Sequence, residues 1–143
     1  MSWVKIWVHL VFSTKYREPF LTDDVRKKVF YHIKENAVKK DIWLDHINGW
    51  LEHCHCLINL NKDQSISKVV QLIKGESSFW INKNEFIKDF MWQDDYYAVS
   101  VGENQILQLR KYIRNQESHH RNIPFNEEID DLVKKFGLKQ ISD

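Results

Sequence analysis

The stretch that most limits the fold is His53-Cys54-His55-Cys56-Leu57-Ile58-Asn59-Leu60. In extended backbone successive side chains point to opposite faces, so Cys54, Cys56, Ile58 and Leu60 make one apolar face while His53 and His55 share the other. The cysteine side must therefore be covered by other elements. The histidine side carries two imidazoles two residues apart, which can converge on one cation. Two part-exposed strand histidines are the bland alternative, and it stays open here because two-ligand patterns arise often by chance. A four-ligand zinc knot that also uses Cys54 and Cys56 is disfavoured, because alternation turns the thiols away from the imidazoles. At about 6.5–7 Å of backbone separation the two cysteines sit at the outer limit for a disulfide, and they read as reduced core residues.

Around this strand the rest of the chain falls into order. Trp3 to Thr14 is rich in Trp, Val, Ile and Phe and predicts a strand entering a polar turn at Lys15-Tyr16-Arg17-Glu18-Pro19. Thr22 is placed to cap a helix on which Val25, Val29, Ile33 and Ala37 recur every four residues to about Lys39. Ile42 to Leu60 predicts a hairpin connected at Asn48-Gly49 and the residues after it. Ser65 can cap a second helix with Ile66, Val69, Val70 and Ile73 on its core face, which Gly75 is expected to loosen. Within Trp92 to Val101, Tyr96-Tyr97-Ala98-Val99-Ser100-Val101 predicts a strand closed by Gly102. A third helix is expected from Glu103 to about His119, with Ile106, Leu109 and Ile113 on one face. A last helix follows Pro124, with Asn126 as its cap, Ile129, Leu132, Val133 and Phe136 as its stripe, and Gly137 as its stop.

The order strand, helix, strand, strand, helix, strand predicts an α+β fold: a ferredoxin-like, split βαβ antiparallel sheet with helices on one face. A C-terminal tyrosine helix and a short last helix complete it. No repeat, linker or composition break divides the 143 residues. They read as one domain, with a core to about residue 101, the tyrosine helix at about 103–119 and the last helix at about 126–136. The 43% hydrophobic and 13% aromatic content, with only 4 Gly and 2 Pro, excludes a disordered chain. No run approaches the roughly 20 apolar residues of a spanning helix, and Met1-Ser2-Trp3-Val4-Lys5 is not a secretory leader, so a cytoplasmic protein without membrane contact is expected. With 21 Lys+Arg against 20 Asp+Glu, any nucleic-acid contact must come from a local basic patch.

On the third helix Tyr112 and Gln116 are four residues apart, hence about 40° apart around the axis and one turn along it. Both side chains point to one place at the edge of the apolar stripe. Taken alone the pair also fits a boundary tyrosine beside a solvated glutamine. His120, one turn further, is a rival to Gln116 as a third ligand.

Together these motifs resemble those of the single-tyrosine HUH transposases of the insertion-sequence-200/605 family, from the first strand through the tyrosine helix. Trp7-Val8-His9-Leu10-Val11-Phe12-Ser13-Thr14-Lys15-Tyr16-Arg17 resembles the family's opening strand and basic turn, and His53-Cys54-His55 its His-hydrophobe-His. Leu72-Ile73-Lys74-Gly75-Glu76-Ser77-Ser78 resembles its Leu-Lys-Gly-x-Ser-Ser helix. Trp92 to Gly102 is similar to the strand before the catalytic helix, and Tyr112-Ile113-Arg114-Asn115-Gln116 to that helix's Tyr-Ile-x-Asn-Gln. Trp50-Leu51-Glu52 departs from the Met-Pro-Asp that many members carry before the first histidine.

The resemblance implies a metal-dependent transposase acting on single-stranded DNA with hairpin ends. Tyr112 would be the nucleophile, His53, His55 and Gln116 would hold Mg²⁺ or Mn²⁺, and a 5′-phosphotyrosine with a free 3′-OH would form. Energy held in that covalent link allows rejoining, so no nucleotide cofactor is implied. It further implies a homodimer whose active sites are shared in trans, with Gly102 as a permissive joint before the tyrosine helix. Candidate DNA contacts are Lys15, Tyr16 and Arg17 in the first turn, Lys74 on the second helix, and Lys111, Arg114 and Arg121 around the tyrosine helix. Tyr96 and Tyr97 fit core packing or base stacking better than catalysis. Two other readings remain: a domesticated relative that holds hairpin DNA or RNA without transposing, and a rolling-circle-type initiator or relaxase.

Overall fold

Eight residues of β1 (Ile6–Ser13) and eight of β3 (His53–Leu60) form the centre of the molecule, paired antiparallel so that Val11 faces His55 and Ser13 faces His53. In the computed structural model, which describes residues 1–138, 140 and 141, β2 (Trp43–Gly49) flanks β3 and β4 (Tyr97–Val101) flanks β1. The order is β2-β3-β1-β4 with every neighbouring pair antiparallel. This is the expected split βαβ arrangement.

Alternation divides the sheet's faces as the sequence predicts. Val8, Leu10 and Phe12 of β1 join Cys54, Cys56, Ile58 and Leu60 of β3 in the main core. That face is covered by α1 (Asp23–Lys39) through Val29, Phe30, Ile33 and Ala37, and by α2 (Ile66–Lys83) through Val69, Val70, Ile73 and Ile81. Cys54 and Cys56 are buried free thiols. The opposite face is closed by α3 (Ile106–Arg114), α4 (Gln116–His120) and α5 (Phe125–Phe136). There Trp7 and Leu57 pack with Ile106 and Ile113, and Val11 packs with Phe125 and Ile129. Tyr97 packs against this last group and Tyr96 against the main core.

Several local expectations need correction. Gly75 does not loosen α2, which runs unbroken through it; a mid-helix glycine costs only about 1 kcal/mol, less than the burial of the helix's apolar face returns. The fourth strand starts at Tyr97, one residue after the expected Tyr96, and Lys74 Nζ donates to the carbonyls of Gln93, Asp94 and Asp95 at 2.6–3.0 Å, which holds the segment before it away from the ladder. Trp92 keeps only an isolated bridge to Thr14. Thr22 stands at the α1 cap position without a side-chain cap bond, whereas Ser65 accepts from Lys68 N as expected. Pro124, not Asn126, precedes the first helical residue of α5, consistent with a proline that has no N–H to lose at a helix start. Gly137 ends that helix at φ 58°.

The third helix is not continuous. A 3₁₀ turn at Glu103–Gln105 leads into α3, and Asn115 (φ −96°, ψ 16°) separates α3 from α4. Asparagine competes poorly in helix interiors, and here its N–H bonds back to Lys111 and Tyr112 carbonyls at 3.1 and 3.3 Å, closing α3. In the β2–β3 hairpin a Cβ on Gly49 would lie 2.1 Å from the His53 carbonyl oxygen, so only glycine allows this approach. Trp50-Leu51-Glu52 forms the turn, and Trp50 N–H donates to His53 O at 3.1 Å.

Candidate metal centre and nucleophile

His53 and His55 lie on the face covered by α3–α5, and both are fully buried. That removes the part-exposed reading. Each ring is oriented through Nδ1: His53 Nδ1 meets Glu52 Oε1 at 2.7 Å, and His55 Nδ1 meets His9 Nε2 at 2.8 Å. His53 also stacks on Phe125 with ring centroids 4.0 Å apart. The two Nε2 atoms are left pointing inwards.

α3 brings Tyr112 to them. Arg110 is bidentate to Asp45 of β2 at 2.9 and 3.0 Å, Asn48 Nδ2 donates to Arg114 O at 3.1 Å, and Ile113 is fully buried. These ties fix the helix on the sheet. The Tyr112 ring then lies edge-on to His55 and His9, with centroids 5.6 and 6.3 Å away. α4, tied to α1 by an ion pair between buried Arg26 and Glu117 at 2.8 Å, brings Gln116, whose Oε1 lies 3.1 Å from His53 Nε2. His120 also arrives: its Nδ1 donates to the Ile123 carbonyl at 2.8 Å and its Nε2 faces the same centre. Gln116 and His120, rivals at the level of sequence, both reach the site.

The centre is filled by a residue that the sequence reading did not single out. Glu128 of α5 is buried, and its Oε1 meets His55 Nε2 at 3.0 Å, His120 Nε2 at 3.0 Å and His53 Nε2 at 3.4 Å. Its Oε2 accepts from the Tyr112 hydroxyl and from Gln116 Nε2, the latter at 3.3 Å. The signal for Glu128 was present, because it lies three residues after Phe125 and four before Leu132, on the apolar stripe of its own helix. His9, buried on the same strand face as Trp7 and Val11, was detectable in the same way.

The electrostatics follow from this crowding. Burial would raise the Glu128 carboxyl, but hydrogen bonds from His120, His53 and His55 outweigh it and hold the group ionised far below the usual carboxylate range. Burial, and then the Glu128 charge, push the Tyr112 phenol well above its ordinary value. Burial lowers His55 to about 4 and His9 to about 3. His53 moves the other way, since its bonds to Glu128 and Glu52 overcome its burial.

These donors suit a divalent ion. The ligand atoms of His53, His55, His120 and Glu128 all lie within 4.8 Å of one another. Nε2 lone pairs and a carboxylate oxygen aimed at one point repel unless protons or a cation lie between them, and Nδ1 partners of this kind hold metal-binding histidines in place.

The candidate DNA contacts are scattered. Arg17 lies over the Phe125 ring at 5.0 Å, which puts the first basic turn beside the site, and Tyr16 there is largely exposed. Lys111, Arg114 and Arg121 are exposed on or next to α3 and α4. Lys74 is on the far side of the sheet, over Phe12 and engaged with the carbonyls of residues 93–95.

A family model described as "Transposase IS200 like" matches residues 2–116. The chain belongs to the IS200-like transposase family. Curated relatives of this IS200-like transposase include the ISDra2 transposase TnpA of Deinococcus radiodurans, 25% identical over 114 residues, covering 76% of this chain and 81% of that protein. The transposase of insertion sequence element IS200 of Salmonella typhimurium is also 25% identical, covering 76% and 74%. A crystal structure of a candidate transposase from Deinococcus radiodurans has the same fold at TM-score 0.65, with 23% identity over 80% of this chain and 93% of that one. A REP-associated tyrosine transposase bound to a REP hairpin aligns at TM-score 0.62, with 16% identity over 100% and 92%. The family match ends at Gln116, so His120 and the whole of α5 lie beyond it. Among the described residues, no helix of this IS200-like transposase is long and apolar enough to cross a membrane.

Proposed function

We propose that this transposase cuts and rejoins single-stranded DNA at hairpin-bearing ends through a 5′-phosphotyrosine on Tyr112, at a metal centre built on His53, His55 and Gln116. The observation that carries the reading is the meeting of Tyr112 with the buried His53–His55 pair and Gln116 inside one chain.

Tyr112 Oη would form the bond to phosphorus as the bond from phosphorus to the 3′ oxygen breaks, the phenol giving up its proton and the leaving 3′ oxygen taking one up, which leaves a 3′-OH and the 5′ end on the enzyme. The 3′-OH of another end reverses the step and releases the tyrosine. An unperturbed phenol costs roughly 4 kcal/mol to ionise at pH 7, and this one costs more because it is buried beside Glu128. A bound Mg²⁺ or Mn²⁺ would supply positive charge for the non-bridging phosphate oxygens. His53 and His55 hold their Nε2 atoms in position through Glu52 and His9, and the covering helices exclude water. The basic turn at Lys15-Tyr16-Arg17, beside Phe125, is the proposed approach for the DNA backbone, with Tyr16 as a stacking surface for an unpaired base.

Within one chain Tyr112 lies against His55 of the same chain, with ring centroids 5.6 Å apart. Sharing in trans between two protomers would require α3 to α5 to exchange through the connection at Gly102. The proposal is tested with the full chain and a hairpin oligonucleotide taken from DNA flanking its own coding sequence. A detergent-stable protein–DNA adduct that needs Mg²⁺ or Mn²⁺ and is absent in EDTA supports it, and cleavage that persists in EDTA overturns the metal centre.

A further inference from the structure

We infer that Glu128 and His120, contributed by the chain beyond the family match, are themselves metal ligands, and that Glu128 bridges the metal to Tyr112. This rests on the reading that His53 and His55 hold the ion. The three imidazoles are set up alike. His53 Nδ1 is bonded to Glu52 at 2.7 Å, His120 Nδ1 to the Ile123 carbonyl at 2.8 Å, and His55 Nδ1 to His9 at 2.8 Å. The Glu52 carboxylate and the Ile123 carbonyl can only accept, so they hold a proton on Nδ1 of His53 and His120 and leave Nε2 as the atom that takes a metal; His9 Nε2 does the same for His55 when its own proton sits on Nδ1. All three Nε2 atoms face Glu128 Oε1 at 3.0–3.4 Å.

Glu128 divides its two oxygens between two tasks. Oε1 faces the imidazoles, while Oε2 accepts from the Tyr112 hydroxyl and from Gln116 Nε2 at 3.3 Å. The carboxylate therefore joins the ligand cluster to the nucleophile and registers one against the other. Its helix is anchored for this by Phe125 and Ile129, which pack on Val11 of β1.

Two consequences separate this set from one of two imidazoles and an amide. A neutral set leaves the full charge of the dication for the phosphate, whereas Glu128 lowers it by one and binds the ion more tightly. Three imidazoles with one carboxylate also favour Mn²⁺, Co²⁺ or Zn²⁺ over Mg²⁺, which prefers an all-oxygen shell. Because His120 and Glu128 come from α4 and α5, metal binding should tie the C-terminal helices to the sheet and stabilise the fold.

The test uses the full chain without DNA and reads metal binding directly, by loss of the free Mn²⁺ signal in electron paramagnetic resonance and by the visible absorption of bound Co²⁺. Glu128→Gln and His120→Ala are each expected to weaken Mn²⁺ at least tenfold, to change the Co²⁺ spectrum, and to shrink the rise in melting temperature that Mn²⁺ gives the wild type. His55→Ala is expected to bind neither ion. Should Glu128→Gln fail a far-ultraviolet circular dichroism check of folding, Glu128→Asp, which keeps the charge but shortens the reach, takes its place with the same expected weakening. Unchanged Mn²⁺ affinity in the Glu128 and His120 variants, with loss in His55→Ala, would overturn this inference and leave the His53–His55 reading intact. Tighter Mn²⁺ binding in Glu128→Gln would overturn it too, marking the carboxylate as an occupant that the ion displaces. Wild-type binding in His55→Ala would remove the underlying metal reading.

Discussion

Tyr112 donates its hydroxyl proton to Glu128 Oε2, across 16 residues of chain and between two different helices. The other oxygen of the same carboxylate faces the Nε2 atoms of His53, His55 and His120 at 3.0–3.4 Å, so the proposed nucleophile and the candidate metal ligands form one buried polar group. In such a group a change at one member is felt by the others.

The buried histidines make the metal-free protein sensitive to acid. His55 at about 4 and His9 at about 3 are below their unfolded values, so between pH 6.5 and about 4 the unfolded chain binds more protons than the folded one. Stability contributed by the neutral rings is present above pH 6.5 and is lost as pH falls through that window. Each group adds a slope of about 1.4 kcal/mol per pH unit. His53, raised in the fold, loses its contribution as pH rises above the unfolded value and does not add to the acid slope. Glu128, depressed, begins to lose its contribution only below about pH 4.5. Urea melts in EDTA at pH 7, 6 and 5 should show the unfolding free energy falling with decreasing pH, and a His9→Gln variant should show a shallower fall. A flat profile would mean that these rings are not buried neutral.

Gly49 should be intolerant of any side chain. A Cβ there would stand 2.1 Å from the His53 carbonyl oxygen, in backbone that also bears a metal-ligand candidate. Gly49→Ala is expected to cost about 2 kcal/mol or more, read as a drop in melting temperature, and to weaken Mn²⁺ binding by displacing His53. Gly75→Ala, where nothing lies within 4 Å of a Cβ, should stabilise α2 slightly.

Site assembly can be read by complementation. Mixing His53→Ala with Tyr112→Phe under conditions of proven subunit exchange leaves every site broken if Tyr112 serves its own histidines. Recovered cleavage is the outcome expected of sites shared in trans, and proven exchange without it would establish that Tyr112 serves its own histidines. Recovery would establish that the tyrosine helix is exchanged between protomers, as the resemblance to single-tyrosine transposases implies.

DNA binding should be modest in charge and selective in shape. With a net charge of +1 and a basic turn near the site, affinity for a stem-loop with single-stranded flanks should exceed that for a blunt duplex. About three or four phosphate contacts would give a log–log salt slope of roughly −2 to −3. Arg17→Ala should weaken binding and reduce the slope by about one. Lys74→Ala, on the far side of the sheet, should act through the segment at residues 93–95 and not through the slope.

The sheet and the histidine pair were legible because their signal has period two. Eight residues from His53 to Leu60 alternate so strictly that only one face could be core, and the structure puts both faces where alternation puts them. The stop at Asn115 was not legible because the apolar periodicity runs straight through it, while the break itself is a local closure in which Asn115 N–H donates back to the Lys111 and Tyr112 carbonyls. Glu128 was passed over for a different reason. A glutamate on an amphipathic helix ordinarily reads as its solvated edge, and its burial here depends on the imidazoles of β3 and α4 with Tyr112 and Gln116, partners that the sequence of α5 does not show.

The central claim, that Tyr112 is the sole nucleophile, is tested most directly by trapping the covalent adduct on a hairpin oligonucleotide with Mn²⁺ and mapping the modified peptide by mass spectrometry. The nucleotide should be found on Tyr112, and Tyr112→Phe should yield no adduct while retaining hairpin binding. An adduct located on Tyr96 or Tyr97, or one that persists in Tyr112→Phe, would contradict the account.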